Sequence, residues 1–259
     1  MLSIITINYN NSAGLEKTIK SVIKQAPGNF EYIIVDGGSN DDSLNIIKQH
    51  QLKISKWVSE PDNGVYHAMN KGIMMSGGDY ILFLNSGDYF SETLNLNKVI
   101  AEYLIDRDII YGNLYLEKDG AITREKIYPD SLGFKYFYYL NESLPHPATF
   151  IRKSLLEKVG YYNEKYKVVS DWEFWLKAIF LFQATYLHLP FPISVFNLEG
   201  LSSGLKGLTI DKLEREEVYQ QYFSWLIDDY NEQEVKKNRI NKNIYIRILR
   251  KLKLLNNEP

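Results

Sequence analysis

The chain has no cysteine. That removes disulfide frameworks, thiolate-bound zinc, iron–sulfur clusters and a cysteine nucleophile at once. It leaves the redox compartment open, since a chain without thiols suits either. Long apolar runs are also missing: no stretch approaches the roughly 18 uninterrupted apolar residues of a membrane span. The strand-like run Leu2–Ile7 starts beside Met1 and leaves no room for a signal peptide, so a cytosolic protein is expected. Repeats and low-complexity segments are absent. What remains is ordinary globular material: 259 residues, 45% hydrophobic and 24% charged, enough for one large α/β domain or two small ones.

The net charge of −2 is unevenly spread. Lys236, Lys237, Arg239, Lys242, Arg247, Arg250, Lys251 and Lys253 crowd the last 25 residues, and the body before them is net acidic. An acidic body argues against a nucleic-acid surface across the molecule and marks the tail as a separate feature.

Strand and helix signals alternate through the first half. Leu2–Ile7, Phe30–Val35, Ile54–Ser59 and Asp79–Leu84 read as strands; Leu15–Gln25, Ser43–Gln51 and Tyr66–Met75 carry helical spacing. Pro27-Gly28 stops the first helix. Such alternation implies a parallel sheet with right-handed crossovers, whose ligands sit beyond the carboxyl ends of the strands. Three polar loops fall at that edge: Asn8–Asn11, Asp36–Asp42 and Asn85–Asp88. Beyond Ser91 the pattern loosens, with a helix near Leu96–Leu104 and strands Ile109–Leu116 and Ala121–Tyr128 around an Asp119-Gly120 turn. Ser154–Val159, Asp171–Phe182, Leu213–Asp228 and Lys236–Leu255 read as helices and Thr185–Leu189 as a strand. The expected organisation is a binding half over residues 1–105, a second half over 106–210, and C-terminal helices over 211–259.

At those loops the sequence resembles family-2 glycosyltransferases of the GT-A fold, especially bacterial enzymes of surface-polysaccharide and O-antigen assembly. The residues that carry the likeness are Ser3–Asn10, Tyr32–Asp41, Glu60–Tyr66, Met69–Gly72, Tyr80–Asp88, His146–Phe150 and Ser170–Glu173, in order over roughly residues 2–205. The resemblance implies an α/β, Rossmann-like, mostly parallel sheet flanked by helices, with a C-terminal helical extension. It also implies an inverting hexosyl-type transferase that moves sugar from a nucleotide diphosphate, a UDP-sugar by preference, to a glycan or polyprenyl-diphosphate-linked acceptor. Such chemistry needs the leaving diphosphate's charge stabilised, usually by Mn2+ or Mg2+, and a carboxylate to take the acceptor's proton. No covalent intermediate is required.

The resemblance places Asp88 as the metal ligand, with Ser86 and Gly87 in the same donor loop. Ser86 stands in the slot of the family's first acidic residue, so this chain has one carboxylate where two are usual; a plain Asn-Gly-Asp turn is the alternative. Thr6, Asn8, Tyr9, Asp36, Asp62, Asn70 and Lys71 are implied contacts to the donor nucleotide. Gly37 and Gly38 would permit close backbone approach beside Asp36. Against these stand a buried aromatic for Tyr9, a solvated charge for Lys71, and strand-to-helix turns for Asp36 and Asp62, with Asp41 or Asp42 capping the next helix. His67 stands where many relatives carry Asp.

Asp171, at a helix start, is the implied general base, with Trp172 and Trp175 to desolvate it; a capping carboxylate is the alternative. Glu173 is the fallback, and His146 and Arg152 are candidates for acceptor or diphosphate contact. Gly200–Gly204 resembles a segment that closes over the donor, or is only a linker. Asn141-Glu142-Ser143 matches a glycosylation pattern without meaning in a cytosolic chain.

In the tail, Ile240, Ile244, Ile248 and Leu252 recur at helical spacing among the basic residues. This pattern describes a helix on anionic lipid, or one packed on its own domain; the resemblance, with its polyprenyl-diphosphate-linked acceptors, implies the inner face of the plasma membrane. A dinucleotide dehydrogenase would need Gly-x-Gly-x-x-Gly after the first strand, where Asn-Tyr-Asn-Asn stands instead. The remaining rival is a non-catalytic nucleotide- or glycan-binding scaffold on the same fold.

Overall fold

Strand β1 (Leu2–Asn8) is buried at every residue. A strand without a solvent face needs cover on both sides, the setting of a parallel sheet beneath helices. β1 pairs in parallel with β2 (Phe30–Asp36) on one side and β4 (Tyr80–Phe83) on the other, and β2 pairs in parallel with β3 (Lys56–Ser59). Helices α1 (Ser12–Lys24), α2 (Ser43–His50) and α3 (Val65–Met75) make the connections. The structure, a computed structural model, describes residues 1–138, 140–198 and 205–225.

Local chemistry sets the helix starts. Asn11 caps α1, its side chain accepting from the Gly14 N–H at 3.1 Å, and Leu15, Ile19 and Val22 form the buried stripe. Asp41 accepts from the backbone N–H of Ser43 at 3.0 Å and of Ser12 at 2.8 Å, tying the starts of α2 and α1 together. Asp42, at the N-cap position itself, makes no capping bond. α3 lies close on β1 and β2 because Gly72 has no side chain: a Cβ there would stand 2.5 Å from Ile5 Cγ2.

The second half brings β5 (Tyr89–Phe90), α4 (Leu96–Glu102), β6 (Ile109–Lys118), β7 (Ala121–Lys126), α5 (Phe134–Tyr138), β8 (Thr149–Arg152), α6 (Lys153–Val159), α7 (Ser170–Leu176) and β9 (Tyr186–Asn197). The nine strands of the described residues join one sheet in the order β3-β2-β1-β4-β8-β6-β9-β5, with β7 hairpinned onto β6. β8 runs antiparallel to both β4 and β6, while β6 and β9 are parallel. Most paired residues lie in parallel ladders, so the architecture is the expected α/β, GT-A-like one.

Two expectations need correction. The strand expected over Thr185–Leu189 extends to Asn197, through Pro190 and Pro192. Proline cannot donate to a ladder, and β6 and β9 accommodate it by register shifts on either side of Asn113, which faces Pro192. The helix expected over Asp171–Phe182 is α-helical only to Leu176 and continues as a π-turn over Lys177–Leu181.

Residues Met1–Ile210 form one compact unit, and a second begins at Asp211, within helix α8 (Leu205–Tyr222). Among the described residues no helix is long and apolar enough to cross a membrane. The Gly200–Gly204 segment and the basic tail over 235–255 lie outside the described residues.

Gly112 tests the β6–β9 register. A Cβ there would lie 2.4 Å from Ile193 Cγ1 and 3.0 Å from the Phe191 carbonyl, so Gly112→Ala forces the bulge open. The expected cost of about 1–3 kcal/mol lowers Tm by roughly 5 °C, read by calorimetry. Gly133→Ala, with nothing within 4 Å of its Cβ, is the control and leaves Tm in place.

Candidate functional site

The carboxyl ends of β1, β2 and β3 are joined by one side chain. Asp36 closes β2, is fully buried, and accepts from Asn8 Nδ2 at 2.8 Å, Ser39 Oγ at 2.5 Å, the Ser39 N–H at 3.0 Å and Ser59 Oγ at 2.7 Å. Burial pushes its pKa up, but bonds from Ser39, Ser59 and Asn8 outweigh that and hold it below the ordinary carboxylate value. With four bonds and no exposed surface, Asp36 anchors the loops. Asn8 serves the same network, donating also to Ser43 Oγ at 2.9 Å.

The accessible groups lie over Gly37. A Cβ on Gly37 would stand 2.5 Å from Asp62 Oδ2 and 3.3 Å from Tyr9 Cδ2, so the missing side chain lets Asp62 and Tyr9 approach the strand end together. Tyr9 is 59% exposed, which decides against the buried-aromatic alternative. Lys71 also reaches this edge, paired with Glu60 at 2.8 Å. His67 accepts from the Asn63 N–H at 3.3 Å and closes the turn that precedes α3.

Thr6 and Asn70 do not join them. Thr6 is fully buried, its hydroxyl donating to the Leu84 carbonyl at 2.7 Å and lying 3.0 Å from the Tyr32 hydroxyl. Asn70 uses both ends of its amide on a different loop: Nδ2 donates to the Tyr162 carbonyl and Glu164, and Oδ1 accepts from the Tyr162 N–H.

The next loop follows β4. Asn11 Nδ2 reaches the Ser86 carbonyl at 3.1 Å, and Thr18 accepts from the Gly87 N–H at 3.0 Å, so α1 fixes the loop from one side. From the other side Asn197, the last residue of β9, donates its backbone N–H to Asp88 Oδ1 at 3.0 Å. Asp88 is 5% exposed. Burial pushes its pKa up to about 7; the Asn197 bond and the Lys17 charge oppose this, and the charge of Glu117 adds to it. Glu117 itself is paired with Lys17 at 2.6 Å and accepts from the Tyr89 hydroxyl. Asn85 Oδ1 is buried without a partner in the same loop.

Three His, Cys, Asp or Glu side chains never converge among the described residues, so a cation here would not have an all-protein cage. One carboxylate plus an orphaned amide oxygen suits Mg2+ or Mn2+, which complete their shells with phosphate oxygens and water.

Asp171 occupies the first turn of α7. Its Oδ1 accepts from the Tyr66 hydroxyl at 2.8 Å, and its Oδ2 lies 3.7 Å from His146 Nδ1. Its side chain keeps 16% of its surface exposed. His146 sits in a 3₁₀ turn before β8, among the rings of Phe83, Tyr162 and Trp175. Burial lowers its pKa against the opposing charge of Asp171, and its Nε2 has no partner.

Glu173 and Arg152 fall elsewhere. Glu173 is 2% exposed and faces Lys177 at 3.8 Å inside the α7 packing. Arg152 lies opposite Tyr80 at the amino end of β4, away from the loop edge, and donates to the Tyr80 hydroxyl and the Ile105 carbonyl.

The sequence pattern described as Glycosyl transferase family 2 matches residues 3–160. The chain belongs to that family. An uncharacterized glycosyltransferase of Mycobacterium tuberculosis is 34% identical over 179 residues, 68% of each chain. A Mycobacterium bovis protein described as a PGL/p-HBAD biosynthesis glycosyltransferase is 30% identical over 220 residues, 82% of this chain and 81% of its own. Among solved structures, Staphylococcus aureus TarS 1–349 in complex with UDP-GlcNAc superposes with a TM-score of 0.62 at 22% identity, over 81% of this chain. The Pyrobaculum calidifontis mannosyltransferase PcManGT, in complex with GDP-Man and Mn2+, gives 0.54 at 15% identity, over 75% of this chain. This family member spans 64% and 56% of those two solved chains.

Four partners in the site were given no role by the sequence. Asn11 and Asn85 lie in the polar loops after β1 and β4 and Tyr66 ends the Glu60–Tyr66 stretch, while Asn197 lies in no stretch that stood out.

Two buried carboxylates, Asp36 and Asp88, give this glycosyltransferase opposite pH responses. Asp36 has a depressed pKa, so its stabilisation is present above the ordinary carboxylate value and is lost as pH falls through its own. Asp36→Asn turns an acceptor into a donor facing donors. It costs about 3 kcal/mol at pH 7 and flattens the acid limb of the stability profile, read by denaturant titration across pH.

Asp88 has a raised pKa, so its penalty grows from about pH 4 and is complete above about 7. Asp88→Asn keeps the Asn197 bond and removes the penalty. The variant is more stable than wild type at pH 8, by on the order of a few kcal/mol, and equal to it near pH 4.

Proposed function

We propose that the chain transfers a sugar, with inversion, from a nucleotide diphosphate donor to a hydroxyl of a glycan or lipid-linked acceptor. A UDP-sugar is the preferred donor, in keeping with the UDP-GlcNAc held by the similar TarS structure. The observation that carries the reading is the setting of Asp171. It is a partly exposed carboxylate braced by Tyr66 of α3, the helix that also brings Lys71 to the donor-side loops.

The reaction is one displacement. The acceptor oxygen attacks the anomeric carbon as the bond from that carbon to the diphosphate breaks. The bonding pair leaves with the nucleotide, and the acceptor's proton passes to Asp171. General-base assistance of this kind is worth about 10²–10⁴ in rate. On the donor side Tyr9 offers an aromatic face to the nucleoside base, and Asp62 an acceptor for base or ribose, over the gap left by Gly37. Lys71 exchanges Glu60 for a donor phosphate. A divalent cation, when bound, neutralises charge on the diphosphate; Asp88 and Asn85 Oδ1 would hold it, with Ser86 and Gly87 lining the approach. His146 keeps the acceptor side of Asp171 apolar and uncharged. The basic tail is a second contact, toward an anionic membrane surface carrying a lipid-linked acceptor.

Asp171→Asn is expected to lower transfer at least 10²-fold while leaving donor affinity, measured by calorimetry, within about twofold. Near-normal turnover would remove Asp171 as the base. In the same calorimeter UDP, GDP, CMP and UDP-sugars are compared with and without Mn2+. Tight, Mn2+-dependent binding of one nucleotide, abolished by Asp88→Ala, is the expected result; Mn2+-dependent affinity unchanged in Asp88→Ala removes Asp88 from the site.

A further inference from the structure

Tyr66 and Asn70 stand four residues apart on α3, so their side chains leave the same face of the helix. Both reach toward the irregular stretch over 160–169, which joins α6 to α7. Tyr66 meets its far end, with its hydroxyl 2.8 Å from Asp171 Oδ1. Asn70 holds its near end. Nδ2 donates to the Tyr162 carbonyl at 2.8 Å and to Glu164 Oε1 at 2.9 Å, and Oδ1 accepts from the Tyr162 N–H at 3.0 Å. The side-chain amide thus pairs with one residue's backbone in both directions, as opposed residues do in an antiparallel ladder. Turned over, it would set N–H against N–H, so its orientation is fixed.

Both sides of this clasp are packed without slack. α3 is seated on β1 where a Cβ at Gly72 would stand 2.5 Å from Ile5 Cγ2. Tyr162 is buried, and its ring centroid lies 5.7 Å from that of Tyr66, 5.8 Å from Phe83, 5.9 Å from His146 and 5.7 Å from Phe174. Those four rings belong to α3, the end of β4, the turn before β8 and α7. The backbone that Asn70 grips therefore carries the ring on which the Asp171 helix packs. The next residue of α3, Lys71, pairs instead with Glu60 on the donor-side loops, at 2.8 Å.

We infer that Asn70 is a positioning residue for the transfer step: through the backbone of Tyr162 it sets the distance between the Asp171 carboxylate and the donor-side edge. The inference rests on the reading of Asp171 as the base. Releasing the clasp loosens Tyr162 and what packs on it, and leaves Tyr9, Asp62 and Lys71 in place. Slack of about 1 Å at the base is enough to slow a displacement about 10²-fold. The loss therefore falls on the chemical step and not on donor binding.

The test is kcat at saturating donor, acceptor and Mn2+, set beside donor affinity by calorimetry, at a temperature where near-ultraviolet dichroism shows each variant folded. Asn70→Ala is expected to lower kcat about 10- to 100-fold, with donor affinity within about twofold of wild type. Asn70→Gln keeps both ends of the amide on an arm one carbon longer. It covers the case in which the alanine variant folds poorly, and the same split is expected of it. In the Asp171→Asn background no base remains to be misplaced, so Asn70→Ala is expected to change the residual rate by less than about twofold. A role confined to stability lowers Tm and leaves kcat of the folded variants in place, which overturns the inference. So does weakened donor affinity, the mark of a donor contact, or an equal loss of rate in both backgrounds. Asp171→Asn alone separates the two readings. If it retains turnover, the base assignment fails; if it lowers turnover while both Asn70 variants keep kcat, only the inference about Asn70 fails.

Discussion

The loop edge is built on the burial of one negative charge. Asp36 sits with no exposed surface at the end of β2, and a carboxylate in that position is tolerable only if its lone pairs are filled. The donors that fill them come from three strand ends: Asn8 from β1, Ser39 from the loop after β2, and Ser59 from β3. The requirement to satisfy Asp36 therefore fixes where three loops begin. Gly37, the next residue, then lies where Asp62 and Tyr9 can close over it. A side chain with no exposed surface thus sets the geometry of the groups that close over Gly37.

Asp88 shows the opposite design with the same side chain. It too is buried, but one backbone N–H from Asn197 and a partly neutralised Glu117 do not balance its desolvation. Asp36 is satisfied by the protein and stays ionised; Asp88 is left with a desolvation that its neighbours do not offset. Within one sheet edge the same side chain thus meets two opposite surroundings. That difference is visible only in the count of donors around each.

Both residues were conspicuous in the sequence, and for the same reason: an Asp in a polar loop after an apolar strand. The parallel half was legible because β1, β2 and β4 are continuous apolar runs separated by helical periods. The second half was less so. β8 is four residues long, too short for periodicity to register, and β9 runs through Pro190 and Pro192, which sequence patterning treats as a strand end. The Asp88 partner Asn197 lies at the far end of that strand, so the missed half of β9 concealed it.

Thr6 and Asn70 illustrate a different limit. Both belong to stretches that mark the family, yet their polar atoms are used within the fold, on Leu84 and on the Tyr162–Glu164 loop. A motif reports that a residue type is needed at a position, and a buried hydrogen bond is as good a reason as a ligand.

The sheet also explains how Asp171, late in the chain, comes to the edge that carries the early loops. β1 to β4 run parallel, so their polar loops gather at that edge. β8, antiparallel to β4, begins at that edge, so the turn before it puts His146 beside Phe83, where β4 ends. α7 follows with Asp171. Contact between the two sets of elements is made by a side chain long enough to cross: Tyr66, 105 residues away in sequence, reaches Asp171 from α3. The spacing of α3 and α7 is thereby held by packing across the sheet edge and not by any single loop. For the transfer proposed above, with Asp171 as its base, that matters, since a misplacement of 1 Å can cost 10²-fold in rate.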